Sequence, residues 1–500
     1  MNETELKFTV PAEQLAGVEK EMKRARVRVE RLQASYYDTP DERLASHRLA
    51  LRLRREGRRW VQTAKAETDD SLSRLEHNAP VSAPRRGSEP PTLEITRHDG
   101  TPAGDALRKA LGKSAHRKGS AALTLRFRTD VSRATRTVRI RGATVEIALD
   151  TGKISTDGCE APICELEFEL KRGGIDPLIV LAAQWAERHG LWLSTLSKAE
   201  RGARLARGET EASPVTAGAP RTDVDLGAAA FLASVIESCL TQVFANAGEI
   251  ASGAADEGFV HQLRIGLRRL RTALRELSAF GEPVDPQWEP SLRSAFRELG
   301  EHRDAAVVMP WIGVDVRAAG APAISAPKPL HRARRPATIA RDAALQRTLL
   351  AIFAYGRRQA AHAAASLADA TPVRQLIALR LDKLHRRVAR EAKHFVSLEP
   401  ERRHGVRKRL KRLRYMSEFA APLFGQERVE RYMGKWREAQ DALGKYNDER
   451  IAAETFQAQA ATEPTAWFAV GWIAANEKRS IESCQRALQR ASKAKPFWKA

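Results

Sequence analysis

His261-Gln-Leu-Arg264-Ile-Gly-Leu-Arg268-Arg269-Leu270-Arg271 returns 143 residues later as His404-Gly-Val-Arg407-Lys-Arg-Leu-Lys411-Arg412-Leu413-Arg414, and this recurrence decides how the chain is read. A second pair, Leu299-Gly300-x-x-x-Asp304 and Leu443-Gly444-x-x-x-Asp448, keeps nearly the same offset, 144 residues. Two blocks holding one spacing over such a distance imply a duplicated helical unit, its copies packed about a pseudo-twofold axis. In the first copy His261, Arg264, Arg268, Arg271 and Arg275 share one helix stripe, beside an apolar seam of Leu263, Leu267, Leu270, Leu274 and Leu277. The second copy sets His404, Arg407, Lys411 and Arg414 beside Val406, Leu410 and Leu413. A pseudo-twofold would face the stripes across one groove, with Lys383, Arg386, Arg387, Arg390, Lys408, Arg409 and Arg412 extending it. One basic stripe is ordinarily a solvated helix face; the repeated His-x-x-Arg spacing argues for more than that. Asp304 and Asp448 read as holders of arginines. The paired histidines read as structural, with no metal-ligand spacing around them.

Around this repeat the chain falls into three textures. Residues 1–207 show short alternating segments mixed with a few helical stretches, 208–225 read as a linker, and 226–500 are Ala/Leu/Arg-rich with helical spacing. A proline-bearing interruption from Gly313 to Pro336 is expected to be a loop within the helical domain. The whole is 500 residues, 43% hydrophobic and 29% charged, which allows several domains with real cores and excludes wholesale disorder. There are 84 Lys+Arg against 62 Asp+Glu, a net of +22, and such a surplus favours polyanionic partners. Residues 221–500 hold 46 of the basic and 31 of the acidic residues, so the helical part carries most of that field. Nucleic acid is the rival polyanion, but aromatics are only 6% of the chain and none is interleaved in the stripes. Four scattered cysteines make neither a disulfide framework nor a zinc set. The acidic start Met1-Asn-Glu3-Thr-Glu5 is not followed by an apolar region, and the longest apolar run, Ala466 to Ala475, falls short of a bilayer span. A soluble, cytoplasmic chain without membrane contact is expected.

In the N-terminal part charges alternate with apolar residues. Glu3, Glu5 and Lys7 oppose Leu6, Phe8 and Val10; Arg52 and Arg54 oppose Leu51 and Leu53. Glu146 and Asp150 oppose Val145, Ile147 and Leu149, and Glu165, Glu167, Glu169 and Lys171 oppose Leu166, Phe168 and Leu170. An antiparallel sheet with one wet face would account for the alternation alone. It would not account for the segregation by sign, with carboxylates on the first and late strands and basic groups on the middle ones. A closed or nearly closed barrel would gather these faces around one lumen. Carboxylates there could hold a hard cation through oxygen, and Arg and Lys could clamp phosphate oxygens.

The residues Glu3-x-Glu5-x-Lys7, Tyr37-Asp38-Thr39-Pro40, Arg52-x-Arg54, Lys65, Phe127-x-Thr129 with Arg133, Asp150-x-Gly152, Glu165-x-Glu167-x-Glu169 and Ser197-Lys198 together resemble the CYTH, or triphosphate tunnel metalloenzyme, family over about residues 1–205. The repeated helical blocks resemble the CHAD domain, a conserved-histidine α-helical domain, over about 226–495. The resemblance implies an α+β multidomain chain: an eight-stranded antiparallel β tunnel, then an all-α pseudo-twofold bundle with two internal repeats. It implies Glu3, Glu5, Glu165 and Glu167 as metal ligands for Mg²⁺ or Mn²⁺. Lys7, Arg52, Arg54, Lys65, Arg133 and Lys198 become phosphate ligands, and catalysis falls to Glu3, Glu5, Lys7, Glu165 and Glu167. One family carboxylate position falls on Ala148, leaving Asp150 or Glu146 to serve, and an aromatic position falls on Arg136.

These features lead to an inorganic triphosphatase fused to a domain that binds long-chain polyphosphate through His261, Arg264, Arg268, Arg271, His404, Arg407, Lys411 and Arg414. Association with polyphosphate granules in the cytoplasm would follow. The alternatives are a non-catalytic polyphosphate-granule protein, and class IV adenylate cyclase or thiamine triphosphatase chemistry in the same tunnel.

Overall fold

The computed structural model describes residues 3–67, 73–82, 90–112, 123–209, 212–222, 226–304, 309–325, 334–365 and 372–499. Among the described residues, alternation in the first 200 becomes nine strands: β1 (Glu3–Thr9), β2 (Arg28–Asp38), β3 (Leu49–Glu56), β4 (Arg59–Glu67), β5 (Ser73–Val81), β6 (Thr124–Ile140), β7 (Ala143–Ser155), β8 (Glu160–Arg172) and β9 (Trp192–Leu193). They form one antiparallel sheet in the order β5-β4-β3-β2-β6-β7-β8-β1-β9. The expected count of eight is therefore corrected to nine. The extra strand is two residues long, pairs with Phe8 and Thr9, and is too short for a period of two to mark it. β1 also pairs with β5, through Glu3 opposite Arg74 and Thr4 opposite Ser73.

Among the described residues five helices belong to this part: α1 (Leu15–Met22), α2 (Arg43–Ser46), α3 (Pro102–Leu111), α4 (Ile175–His189) and α5 (Lys198–Arg207). Helices α3 and α4 pack on the apolar face of the sheet, which leaves its charged face to turn inward, and α5 packs on that inner face against Tyr36, Phe127 and Val131. Leu49, Leu51, Ala64 and Ala66 pack with Ala103, Leu107 and Leu111 of α3. Phe8 meets Phe168 edge to face, and Phe168 meets Trp185 of α4 in the same way. Helix α5 begins in a capping motif, Ser197-Lys-Ala-Glu200, in which the Ser197 hydroxyl accepts from the Glu200 N–H. It ends at Gly208 in the left-handed region, φ 68°.

Among the described residues ten helices follow: α6 (Ala228–Ser252), α7 (Glu257–Glu276), α8 (Trp288–Arg303), α9 (Met309–Ala318), α10 (Pro336–Ala340), α11 (Ala343–Ala365), α12 (Val373–Ala392), α13 (Pro400–Phe424), α14 (Gln426–Gln459) and α15 (Trp467–Ser492). Contacts divide the chain into Met1–Pro214 with Phe244–Ala254 and Ala340–Ala354, and a second unit of Val215–Val243, Ala255–Ile339 and Tyr355–Ala500. In the second unit the leucine seams of α7 and α13 are buried, each of Leu263, Leu267, Leu270, Val406, Leu410 and Leu413 being at most 1% exposed. The loop expected from Gly313 is corrected in its first part. Residues 313–318 continue α9, because Ile312 and Val316 bury against Ala452, Phe456 and Ala469 of α14 and α15. Residues 326–333 of that interruption lie outside the described residues. Helix α6 is long and apolar enough to cross a bilayer by length and composition, and 56% of its most apolar window is buried inside the protein.

Candidate active site and basic stripes

Strand register brings the charged residues of the first unit onto one inner face. Lys7 lies opposite Glu167 across β1 and β8, Asp150 opposite Glu165 across β7 and β8, and Arg133 opposite Asp150 across β6 and β7. On the other side Arg52 pairs with Tyr36 of β2, and Lys65 with Glu76 of β5. The result is a cavity of about 310 Å³ lined by Glu5, Lys7, Arg52, Arg54, Lys65, Arg133, Asp150, Glu167 and Lys198 among others. Glu165 does not line the cavity but pairs with Lys198, which does. The Glu3 side chain is outside the described residues. A wet sheet face is excluded by burial: Asp150 is 1% exposed, Glu165 3% and Lys7 6%.

The carboxylates are held by bases. Arg133 grips Asp150 with two hydrogen bonds of 2.7 and 2.6 Å and also donates to Glu167. The Lys198 ammonium lies 2.7 Å from Asp150 Oδ2, 2.8 Å from Glu165 Oε2 and 2.8 Å from Glu167 Oε1. Arg201, one turn along α5, donates to Glu165 at 2.8 Å. Burial works to raise the Glu165 carboxyl, but Lys198 and Lys7 outweigh it and hold it down at about 2. Glu167 is likewise pushed well below its ordinary range, by Arg133 and Lys198 against burial. Both are ionised at neutral pH.

The cationic wall holds residues that the sequence pattern did not single out. Glu76 lies 2.5 Å from Lys65 Nζ and 4.0 Å from Arg52. Burial opposes its ionisation, yet Lys65 and Arg52 bring its carboxyl to about 2. Arg52 donates to the Tyr36 hydroxyl at 3.1 Å, and Tyr36 stacks on Phe127 with centroids 4.5 Å apart. Arg54 pairs with Glu56. No local pattern in the sequence marks Tyr36 or Glu76, because strand register brings them to Arg52 and Lys65. At the position where an aromatic was expected, Arg136 donates 2.7 Å to the Glu21 carbonyl and lies over the Trp185 ring.

In the second unit α7 and α13 bring the middles of the stripes together. Lys411 is pushed down to about 7 by burial and by Arg268, Arg407, Arg414 and Arg303. Arg264 is lowered to about 10, by burial first and then by Arg268, Arg303 and Arg407, with Asp304 opposing. The ends of the stripes differ: Arg271 is bound by Glu289, and Arg414 donates 2.7 Å to Glu418. Of the proposed extension, Arg409 is held by Glu391 and Arg412 by Glu276. His404 is lowered to about 4 by burial, Lys408 and Arg407, and His261 is lowered by burial, Arg303 and Arg264, so neither adds charge at neutral pH. The Leu-Gly-x-x-x-Asp motif has a local meaning in the first copy. Arg264 donates 3.1 Å to the Gly300 carbonyl and lies 3.9 Å from Asp304, and a Cβ at Gly300 would stand 3.1 Å from its guanidinium. In the second copy a Cβ at Gly444 would meet nothing within 4 Å, so the repeats are not equivalent there. Aromatics do meet the stripes: Phe296 of α8 has the guanidinium carbons of Arg264, Arg268 and Arg271 at 5.0, 4.9 and 5.7 Å from its ring centre, and that of Arg414 lies 5.9 Å from the Tyr415 ring centre.

Comparison with known families agrees with both halves. The CYTH domain model matches residues 1–203, and the CHAD domain model matches residues 234–457. The chain is a CYTH domain followed by a CHAD domain. An inorganic triphosphatase of Haemophilus influenzae is 29% identical over 178 residues, 34% of this chain and 44% of that protein, so the match spans less than half of the relative. Among solved structures, the CHAD domain of Ricinus communis is 22% identical with a TM-score of 0.46, over 56% of this chain and 97% of that one. A Hippeastrum protein described as having a dominant triphosphatase activity is 13% identical with a TM-score of 0.29, over 42% and 97%.

Triphosphate tunnel enzymes of the CYTH family depend on a metal, and the fit of such an ion to these residues can be judged from the charges around Lys198. Three carboxylate oxygens already converge on a single cationic atom within 2.8 Å. Their chemistry, oxygen only, suits Mg²⁺ or Mn²⁺. Among the described residues no group of three acidic, histidine or cysteine side chains is ready-made for a metal. In the CYTH domain as it stands, a lysine is the cation those oxygens share.

Proposed function

We propose that the chain is a metal-dependent inorganic triphosphatase joined to a polyphosphate-binding helical domain. The observation that supports this most is the cavity of about 310 Å³ with Arg52, Arg54 and Lys65 on one wall and Asp150, Glu167 and Lys198 on the other. A triphosphate is a dense polyanion, and its cleavage needs charge neutralisation and alignment above all. An eight-stranded tunnel, to which β9 is an addition, is the reading that the β1–β5 pairing supports. Arg52 and Arg54, on alternate residues of β3, would clamp phosphate oxygens in line, with Lys65, Lys7 and Arg133 neutralising the chain along its length. Tyr36 and Glu76 would fix the Arg52 guanidinium and Lys65 in position.

Glu5, Glu165 and Glu167, with Asp150, would hold Mg²⁺ or Mn²⁺, which when bound supplies further charge neutralisation and a polarised water. The partial likeness to the Haemophilus triphosphatase supports inorganic triphosphate over a nucleoside substrate. In the CHAD domain Arg264, Arg407 and Lys411 are lowered by burial and by Arg268 beside them, and this set of bases calls for a linear polyanion to neutralise it. Phe296 is already covered by three guanidinium groups rather than offered to a base, which favours bare polyphosphate over nucleic acid. A place in the cytoplasm beside polyphosphate granules follows from that ligand. The test is phosphate release from tripolyphosphate, ATP and thiamine triphosphate with Mg²⁺ or Mn²⁺. Tripolyphosphate is expected to be cleaved fastest, and preference for ATP or thiamine triphosphate would replace this reading with cyclase-like or thiamine triphosphatase chemistry.

A further inference from the structure

We infer that Lys198 is an internal stand-in for the divalent cation, seated among the carboxylates of the free protein and displaced onto phosphate when metal and triphosphate arrive together. The inference rests on the triphosphatase reading for its ligand and on this chain's own geometry for its logic. Lys198 is the first residue of α5, and the backbone beneath it is fixed. Ser197 caps the helix, Arg201 donates 2.8 Å to Glu165 and 2.6 Å to the Pro162 carbonyl, and Gly202 is pressed against the Phe127 ring. A Cβ at Gly202 would stand 2.2 Å from that ring, so the helix is seated as closely as glycine allows. The helix cannot retreat without breaking these contacts. The lysine side chain, with four rotatable bonds, can move its ammonium alone.

Charge balance explains why it must move. Asp150, Glu165 and Glu167 face Lys198, Arg133 and Arg201, three negative groups against three positive ones. Glu5 and Lys7, which act on Arg133 and Glu165, add one charge of each sign and leave the balance unchanged. A divalent ion entering this neutral cluster meets an ammonium already in the common seat, and two cations a few ångströms apart repel strongly even at an effective dielectric of about 20. Triphosphate relieves the conflict by giving the ammonium another anion to neutralise. Metal binding is then coupled to triphosphate binding, and the free protein holds its carboxylates in place without a metal.

The test is a titration of the full-length chain with Mn²⁺ in the absence of any phosphate compound, with free Mn²⁺ read by electron paramagnetic resonance. Lys198→Gln, which keeps hydrogen-bonding capacity and removes the charge, should bind Mn²⁺ at least roughly tenfold more tightly than the natural chain. Lys198→Arg should bind no more tightly than the natural chain, and adding Glu165→Gln to Lys198→Gln should remove the gain. Equal affinity of Lys198→Gln and the natural chain overturns the inference. Where circular dichroism shows that Lys198→Gln does not fold, the natural chain and Glu165→Gln carry the test. Equal, weak Mn²⁺ uptake by both supports the inference, and stronger uptake by the natural chain overturns it. Because no triphosphate is present, this result stands apart from whether the chain cleaves tripolyphosphate.

Discussion

At the scale of single residues, function here is a matter of which charges are compensated and which are not. Glu76 is compensated, and its low ionisation point has a sign that can be checked. Its carboxyl lies near 2 in the folded chain against 4.5 ordinarily, so the stabilisation it brings is complete above pH 4.5 and is lost as pH falls through 2. The effect is on the order of 3 kcal/mol. Denaturant midpoints measured between pH 5 and 2 should fall for the natural chain and fall less for Glu76→Gln; parallel curves would show that Lys65 and Arg52 do not hold this carboxylate. Lys411 is the opposite case, a base lowered to about 7 by burial and by surrounding arginines. A bound polyanion favours its protonated form, so affinity should be highest below pH 7 and should decline as pH rises above 7. Polyphosphate titrations from pH 6 to 9 should show that decline, and Lys411→Met should weaken it; an unchanged slope in the variant would remove Lys411 from the binding surface.

At the scale of elements, helix α5 carries Lys198 and Arg201, two of the bases that hold the carboxylate cluster. Gly202 has no room for a side chain against Phe127, so Gly202→Ala should overpack this contact and cost about 1–3 kcal/mol. The expected outcome is a lowered denaturant midpoint for the N-terminal transition together with weaker triphosphate binding, because Lys198 and Arg201 ride on the same helix. A neutral substitution would mean that α5 is loosely seated. How much of this could be read in advance depended on the element. Strands β1, β3, β7 and β8 announced themselves because their charges alternate with residues that pack under helices, and their inward face carries most of the candidate site. Glu76 and Tyr36 did not, since what brings them to Arg52 and Lys65 is register between strands, which no local pattern encodes. Strand β9 was hidden by its length of two residues, and the end of α9 by nearby prolines. The helical repeat was plain from its offset. The pairing of Arg271 with Glu289, and of Arg412 with Glu276, removed part of the expected basic surface for a tertiary reason alone.

At the scale of the whole molecule, an acid-and-base cavity and a set of basic stripes occupy one chain, and the proposed function assigns a short polyphosphate to the first and a long one to the second. If the two stripes act on one ligand, Arg264→Glu combined with Arg407→Glu should reduce polyphosphate affinity by much more than either change alone, with a shallower salt dependence. A double variant no weaker than the more damaging single change would contradict a shared ligand. The central claim is that the inner face of the CYTH domain cleaves a triphosphate, and the most direct measurement is phosphate release from tripolyphosphate by the full-length chain and by Glu165→Gln, each with and without Mn²⁺. The account predicts release by the natural chain only with the metal, and a loss of about a hundredfold or more in the variant, the scale expected when stabilisation of transition-state charge is lost, here through a ligand of the metal that supplies it. Metal-independent release, or full activity in Glu165→Gln, would contradict it.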